Sequence, residues 1–235
     1  MLDPQEQRVL DAAVAQAGVL GTDNPAHTVA AAAMDTAGRI FTGVNAHHFT
    51  GGPCAELVVL GMAAAAQAGP LAIMAAVSRE ARVLPPCGRC RQTILDQHPD
   101  CFVVLPTSAG LQALPVRDLL PYAYDASRTA AERIVRFSPQ YYDRVASGAK
   151  RATTRYRDPC AVGPAWLLFE FPDGYQRLPG FVESVQGKRV CELSDDDARL
   201  EDVSSAAELR DGLRSHYPGV ADEDMVELVR FSLRD

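Results

Sequence analysis

The stretch "TGGPCAEL", residues 50–57, decides how the chain is read. A cysteine stands two positions before a glutamate, behind two glycines and a proline. Alone, this is a helix start, with a proline breaking what precedes it and an apolar run following. Further on, "PPCGRCRQ", residues 85–92, opens a second helix with Cys87 and Cys90 three positions apart. On a first helical turn that spacing lets both sulfurs point the same way. Helix N-termini offer free N–H groups and the positive end of the dipole, which favour thiolate over thiol. A catalytic zinc takes three protein ligands and keeps a fourth place for water, and Cys54, Cys87 and Cys90 supply the three. Glu56 follows Cys54 too closely to ligate the same ion. It reaches the open place instead, where it can move a proton to a ring nitrogen and a leaving amine. Arg82 and Arg89 are the cations expected to offset the sulfur charge. Two other readings stay open on spacing alone: a closed structural site completed by Cys101, and a redox Cys-x-x-Cys pair.

The 235 residues suffice for one large domain or two ordinary ones. Hydrophobic residues make up 47% and charged residues 23%, a globular composition. The apolar run "AAAAQAGPLAIMAAV" is broken by Gln67, Gly69 and Pro70, so it lacks the character of a membrane span. The first residues, "MLDPQEQRVL", carry early acids and no apolar signal-peptide core. A cytoplasmic location is expected, where six cysteines imply metal or redox chemistry rather than a disulfide framework. A net charge of −7 argues against broad nucleic-acid binding. Residues 128–157 are an exception, with eight Lys and Arg against Glu132 and Asp143. They read as a solvated face or as a local site for an anion or RNA.

Asp3-Pro4 starts an N-capped helix running to Gly18. "TVAAAAM" and "RIFTGV" flank the turn "DTAG" as a hairpin. After Pro53 a helix runs to Gly69, "LAIMAAV" is a buried strand, and "PPCGRCRQTILDQHP" is a second helix. "CFVVLP" is a further strand and "VRDLLPY" a short helix. This alternation predicts an α/β sheet layered between helices. Beyond residue 132 the texture becomes strand-rich, with "RIVRF", "AWLLFEF", "RLPGFVESVQGKRVCEL" and "MVELVRFSLRD", and helical pieces at 139–148 and 205–216. The boundaries are expected at 1–124, 125–132 for a linker, and 133–235.

"FTGVNAHHFTGGPCAELVVLGMAAAA" together with "LPPCGRCRQTILDQHP" resembles the cytidine deaminase superfamily, nearest its blasticidin S deaminase branch. The order of cysteine, glutamate and Pro-Cys-x-x-Cys matches the layout of zinc-dependent deaminases. The resemblance runs from about residue 5 to residue 124. It implies a three-layer α/β/α fold, one Zn2+ per chain, and a homotetramer whose sites are completed by neighbouring subunits. By it Cys54, Cys87 and Cys90 bind zinc and Glu56 shuttles the proton. Asn45 falls where the family contacts the sugar, and Phe41 where an aromatic packs near the base. Ala46, His47 and His48 follow Asn45 where the nucleoside enzymes carry a ribose-holding glutamate. The blasticidin branch ends soon after "LLP"; here Tyr122 or Tyr124 takes the lid position.

A second constellation lies in "SGAKRATTRYRD", residues 147–158. On an extended segment Thr153 and Arg155 face one way. A lysine of lowered pKa can act as a base toward a hydroxyl, with a carboxylate to relay the proton. Spacing alone reads equally as a basic strand edge. With "LSDDDARLED" and "ELRDGLRSHYPG", however, it resembles the ASCH domain, a small β-barrel α+β fold related to PUA RNA-binding modules. One branch of that family hydrolyses N4-acetylcytidine with lysine, threonine and glutamate. Those become Lys150, Thr153 and Glu201, with Asp202 the competing neighbour and Arg155 the family arginine. Other ASCH domains bind RNA, which makes an RNA-guided deaminase the alternative to a second amidohydrolase.

Overall fold

The computed structural model describes residues 1–21, 24–124 and 132–234. All but the last residue of the expected linker, 125–132, lies outside them, as does Arg128 of the basic stretch. The chain divides into two compact units, Met1–Ile134 with Phe171–Gln176, and Val135–Glu170 with Arg177–Asp235.

The first unit opens with α1, Pro4–Gly18. The Asp3 carboxylate accepts the N–H groups of Gln5 and Glu6, while the Glu6 carboxylate accepts that of Asp3. A cap of this kind contributes about 1 kcal/mol. β1 (Val29–Asp35) and β2 (Ile40–Val44) form the expected hairpin. The buried Asp35 carboxylate closes its turn by accepting the N–H groups of Ala37 and Arg39, and Gly38 supplies the positive φ of +77°. β3 (Leu71–Ser78) pairs antiparallel with the other edge of β1, and β4 (Phe102–Thr107) runs parallel to β3. β5 (Gly110–Pro115) completes the order β2-β1-β3-β4-β5.

Two helices matter for the site: α2 (Ala55–Ala65), which leads from β2 to β3, and α3 (Gly88–Gln97), which carries the chain across between the parallel strands. Ala30–Met34 and Leu71–Val77 are buried throughout, because helices cover both faces of the sheet. Ala31 and Ala33 pack with Val59, Leu60 and Ala63 of α2 and Ile94 of α3. The alternate positions of β1 face the opposite way, and α1 lies against β1 and β3. The result is the expected three-layer α/β/α arrangement. Alanine along β1 keeps the layers close. α2 stops earlier than the Gly69 expected from sequence, because Gln67 takes the left-handed conformation, φ +50°. "VRDL" is a single 3₁₀ turn, Val116–Leu119.

The second unit carries a sheet of β6 (Arg133–Phe137), β7 (Ala152–Arg155), β8 (Gly163–Phe171), β9 (Gly174–Arg189) and β10 (Met225–Leu233), in the order β6-β8-β9-β10-β7. Among the described residues no pairing of β6 with β7 closes it. Its helices are α4 (Tyr142–Ala146), α5 (Asp195–Leu200) and α6 (Ala206–His216). Phe137 stacks on Phe169 at 5.3 Å between centroids and meets Phe231 edge-on at 5.5 Å. Among the described residues no helix is long and apolar enough to cross a membrane.

His98 ties the end of α3 to the start of β3. Its N–H donates to the Ile94 carbonyl at 2.7 Å, and its Nδ1 accepts the Leu71 N–H at 3.2 Å. An accepting Nδ1 requires the neutral ring, and burial pushes the pKa down from 6.5 to about 4. As pH falls below about 6.5 the unfolded chain takes up this proton first, so the contribution is complete above that value and is lost between there and about pH 4. The loss is on the order of 3 kcal/mol. Urea unfolding at several pH values should show this decline in the native chain, and a flatter profile in His98→Gln over the same window.

Candidate functional site

Cys54 is the N-cap of α2 and Cys87 the N-cap of α3, so two helix N-termini converge on one point. Cys90 sits in the first turn of α3. The sulfurs of Cys54 and Cys87 are 3.8 Å apart, and those of Cys87 and Cys90 are 3.5 Å apart. All three lie within 4.8 Å of one another. A tetrahedral zinc with bonds of about 2.3 Å spaces its sulfurs about 3.8 Å apart, so the donor set fits that ion. Burial pushes the thiols of Cys54 and Cys90 up. Burial opposes ionisation of Cys87 too, yet its pKa falls, because the N–H groups of Cys90 and Arg89 and the two neighbouring thiols hold its thiolate. Arg82 and Arg89 are exposed, and the groups that hold the Cys87 thiolate include backbone N–H dipoles at the start of α3.

Glu56 lies in the first turn of α2 and is 6% exposed. It is not one of the three metal donors. Burial pushes its carboxyl up, opposed by its own N–H and the Cys90 thiol. That favours a group able to take up and release a proton. Cys101, the fourth cysteine of a closed site, is fully buried, and its thiol donates to the Phe102 carbonyl at 3.4 Å. It takes no part in the cluster, which leaves a coordination place open.

The loop before Cys54 is folded tightly. The Ala46 N–H donates to the Pro53 carbonyl at 3.1 Å, and the Gly51 N–H to the His48 carbonyl at 2.9 Å. Gly51 has φ +89°, and a Cβ on Gly52 would fall 1.6 Å from the Ala46 oxygen. His47, His48 and Phe49 face outward on this loop. The Asn45 side-chain oxygen is committed, accepting the N–H groups of Thr28 and Val29 at 2.7 and 2.9 Å. Its amide nitrogen donates to the Thr28 hydroxyl at 3.5 Å, which leaves one N–H for a ligand. Phe41 packs against the same core cluster as Cys54, with the Arg39 guanidinium 5.5 Å from its ring. Tyr124 is 78% exposed, and its carbonyl accepts the Gln92 side-chain amide at 2.9 Å, which fastens the tail to α3.

In the second unit, Lys150, Thr153, Arg155 and Glu201 all line one cavity of about 640 Å³. Lys150 Nζ donates to Glu201 Oε2 at 2.6 Å, with the two residues 3% and 7% exposed. Burial pulls the lysine pKa down while the Glu201 carboxylate acts against that pull. Of the two adjacent acids, Glu201 ends α5 and turns inward. Asp202, at φ +57°, pairs outward with Arg144 Nε at 2.6 Å. The Arg151 N–H donates to the Leu200 carbonyl at 2.7 Å and locks the end of α5 to β7. Arg155 pairs with Asp158 at 3.1 Å and donates to the Arg136 carbonyl, while its buried Nε meets no partner among the described residues.

Sequence reasoning missed Thr154, whose hydroxyl donates to Glu201 Oε1, and Tyr141, whose ring centre is 4.9 Å from Lys150 Nζ. The Tyr141 hydroxyl also lies 2.9 Å from His216 Nε2. Arg136, Arg144, Lys150 and Arg155 of the basic stretch each hold an acidic partner. Their charge is largely met within the unit, which weakens the RNA reading.

A family model for the cytidine and deoxycytidylate deaminase zinc-binding region matches residues 3–105. A cytidine deaminase of Mycobacterium tuberculosis is 35% identical over 107 residues, 45% of this chain and 78% of that protein. A blasticidin-S deaminase of Bacillus cereus is 29% identical over 133 residues, 52% of this chain and 94% of that protein. A crystal structure of an ASCH domain from Lactobacillus crispatus is 17% identical, covers 46% of this chain and 82% of its own, and has a TM-score of 0.38.

Gly52→Ala should displace the loop from Cys54, lowering stability by about 2–4 kcal/mol and zinc content with it. Gly51→Ala, with open space around it, should cost only about 1–2 kcal/mol and keep the metal. Thermal unfolding and metal analysis of the two variants side by side check this.

Proposed function

The chain belongs to the cytidine and deoxycytidylate deaminase family, and we propose that its first unit converts a cytosine nucleoside, or a cytosine nucleoside antibiotic, to the uracil form with release of ammonia. The observation that carries this is Glu56, buried beside three sulfurs spaced for zinc and outside the ligand set. Held by Cys54, Cys87 and Cys90, zinc would supply Lewis-acid activation of water. Glu56 moves the proton, from the attacking water to N3 of the base and then to the departing N4 amine. The N–H groups at the start of α3 hold the sulfur charge steady through these transfers. Asn45 and Phe41 form the floor toward the sugar and base, the former through its amide nitrogen alone. The relatives support cytidine and blasticidin S as compounds to test. Phe49 and Met62, 90% and 54% exposed, are apolar side chains that a homotetramer would cover.

The second unit, in this reading, is an amidohydrolase acting on N4-acylcytosine. Its support is the buried meeting of Lys150 and Glu201 in the cavity that Thr153 lines. Lys150 accepts the Thr153 proton as the threonine oxygen attacks the acyl carbon, then returns it to N4 as the C–N4 bond breaks, which leaves a free amine. Water then releases the acyl group as a carboxylate. The two units would act in order, N4-acylcytosine to cytosine to uracil.

Glu56→Ala should keep about one zinc per chain and lose deamination by about 10²-fold or more. Given N4-acetylcytidine, the native chain should form uridine by way of cytidine. Glu56→Ala should stop at cytidine, and Lys150→Ala should leave the starting compound intact. Product masses read all three. If the native chain consumes neither cytidine nor a cytosine antibiotic, the deaminase reading is lost. If it deaminates but never deacylates, only the second activity is lost.

A further inference from the structure

Two threonines stand side by side on β7, and the structure divides them. Thr153 and Thr154 are both buried, 8% and 7% exposed, and both border the cavity. Strand alternation sends their side chains opposite ways, and the hydroxyl bonded to Glu201 is that of Thr154. No side-chain hydrogen bond of Thr153 is found among the described residues.

A buried carboxylate with one partner can still rotate about its last torsion; one with a partner on each oxygen cannot. Here Oε1 accepts from Thr154 and Oε2 accepts from Lys150. The strand does not need the Thr154 hydroxyl to form, since its backbone is held in register against β10, with Thr154 opposite Leu228 and Thr153 opposite Val229. The end of α5 is likewise tied to β7 through the Arg151 N–H. What the hydroxyl adds is therefore the orientation of one buried carboxylate.

We propose that Thr154 is a positioning residue of this cavity: by holding Oε1 of Glu201 it aims Oε2 at Lys150 and fixes the lysine nitrogen at the wall that Thr153 shares. This rests on the amide-hydrolysis reading for its catalytic consequence, and on geometry alone for the coupling of Thr154 to Lys150. Tyr141 backs the lysine from another side, so its nitrogen is held between an aromatic ring and a fixed carboxylate.

The chain contains two lysines, Lys150 and Lys188, which gives a readout independent of activity. In protein labelled at lysine with ¹⁵N and ¹³C, NMR shows two side-chain amine signals, assigned with Lys188→Arg. Thr154→Val keeps the β-branched shape and removes the hydroxyl. It should move the Lys150 signal and leave Lys188, which pairs with Asp197, where it was. On N4-acetylcytidine it should lower kcat about 10- to 100-fold with KM within about twofold. Thr154→Ser should return both the signal and kcat to near the native values. An unmoved Lys150 signal in Thr154→Val overturns the proposal. So does a raised KM with unchanged kcat, or failure of serine to restore either readout. Abolished activity in Thr154→Val beside full activity in Thr153→Val would make Thr154 the attacking group and overturn a positioning role. A native chain inert toward N4-acetylcytidine, with the Lys150 signal still shifted in Thr154→Val, removes the amide reading while supporting the coupling of Thr154 to the lysine.

Discussion

Three sulfur atoms within 4.8 Å of one another set the requirement that the first unit is built to meet. Three thiolates on a divalent ion leave a net negative charge, and such a charge must be held by dipoles or cations. The fold answers with helix N-termini. Cys54 and Cys87 cap α2 and α3, and the two helices must start at the same place. That demand explains the order of the sheet. β2 delivers the chain to α2, and the parallel step from β3 to β4 is what places the start of α3 beside it. The covered alanine strand lets these helices approach closely enough for their first turns to share a metal.

The second unit handles charge differently. An ion pair as buried as Lys150 and Glu201 recovers its desolvation cost only when the remaining lone pairs and protons are also satisfied. Thr154 and Tyr141 meet part of that need. A lysine whose pKa burial pulls down, held at a cavity wall, is a candidate for function. The contrast between units is instructive. One holds the Cys87 thiolate with backbone dipoles, while the other buries a side-chain pair of opposite sign.

Much of the first site was legible because its chemistry is local in sequence. Cys87 and Cys90 stand three positions apart at the start of one helix, where helix geometry brings them together, and Cys54 and Glu56 stand two positions apart at the start of another. The three-layer fold was legible because β1 and β3 are apolar at every position but their last, Asp35 and Ser78. What escaped was non-local or weakly patterned. β5 is a half-exposed edge strand with no clear alternation. α5 begins "DDD", which reads as loop until Ser194 is seen to cap it and Asp197 to complete the box. The peptide N–H groups of Arg89 and Cys90 that hold the Cys87 thiolate carry no sequence signal. Thr154 could not be told from Thr153, because its partner lies 47 positions away and depends on how α5 ends. The choice of Glu201 over Asp202 likewise depends on the left-handed turn at Asp202.

The loop that leads into Cys54 has an evolutionary consequence. Its ends are pinned by Ala46 to Pro53, and Gly52 lies so close to the Ala46 carbonyl that the path admits no added atom there. Residues 46–50 meanwhile point their side chains to solvent. The segment behaves as a cassette of fixed length and free lettering. Insertions would move a zinc ligand, whereas substitutions at His47, His48 or Phe49 would not. Single replacements on this rim would therefore leave the metal ligand where it is.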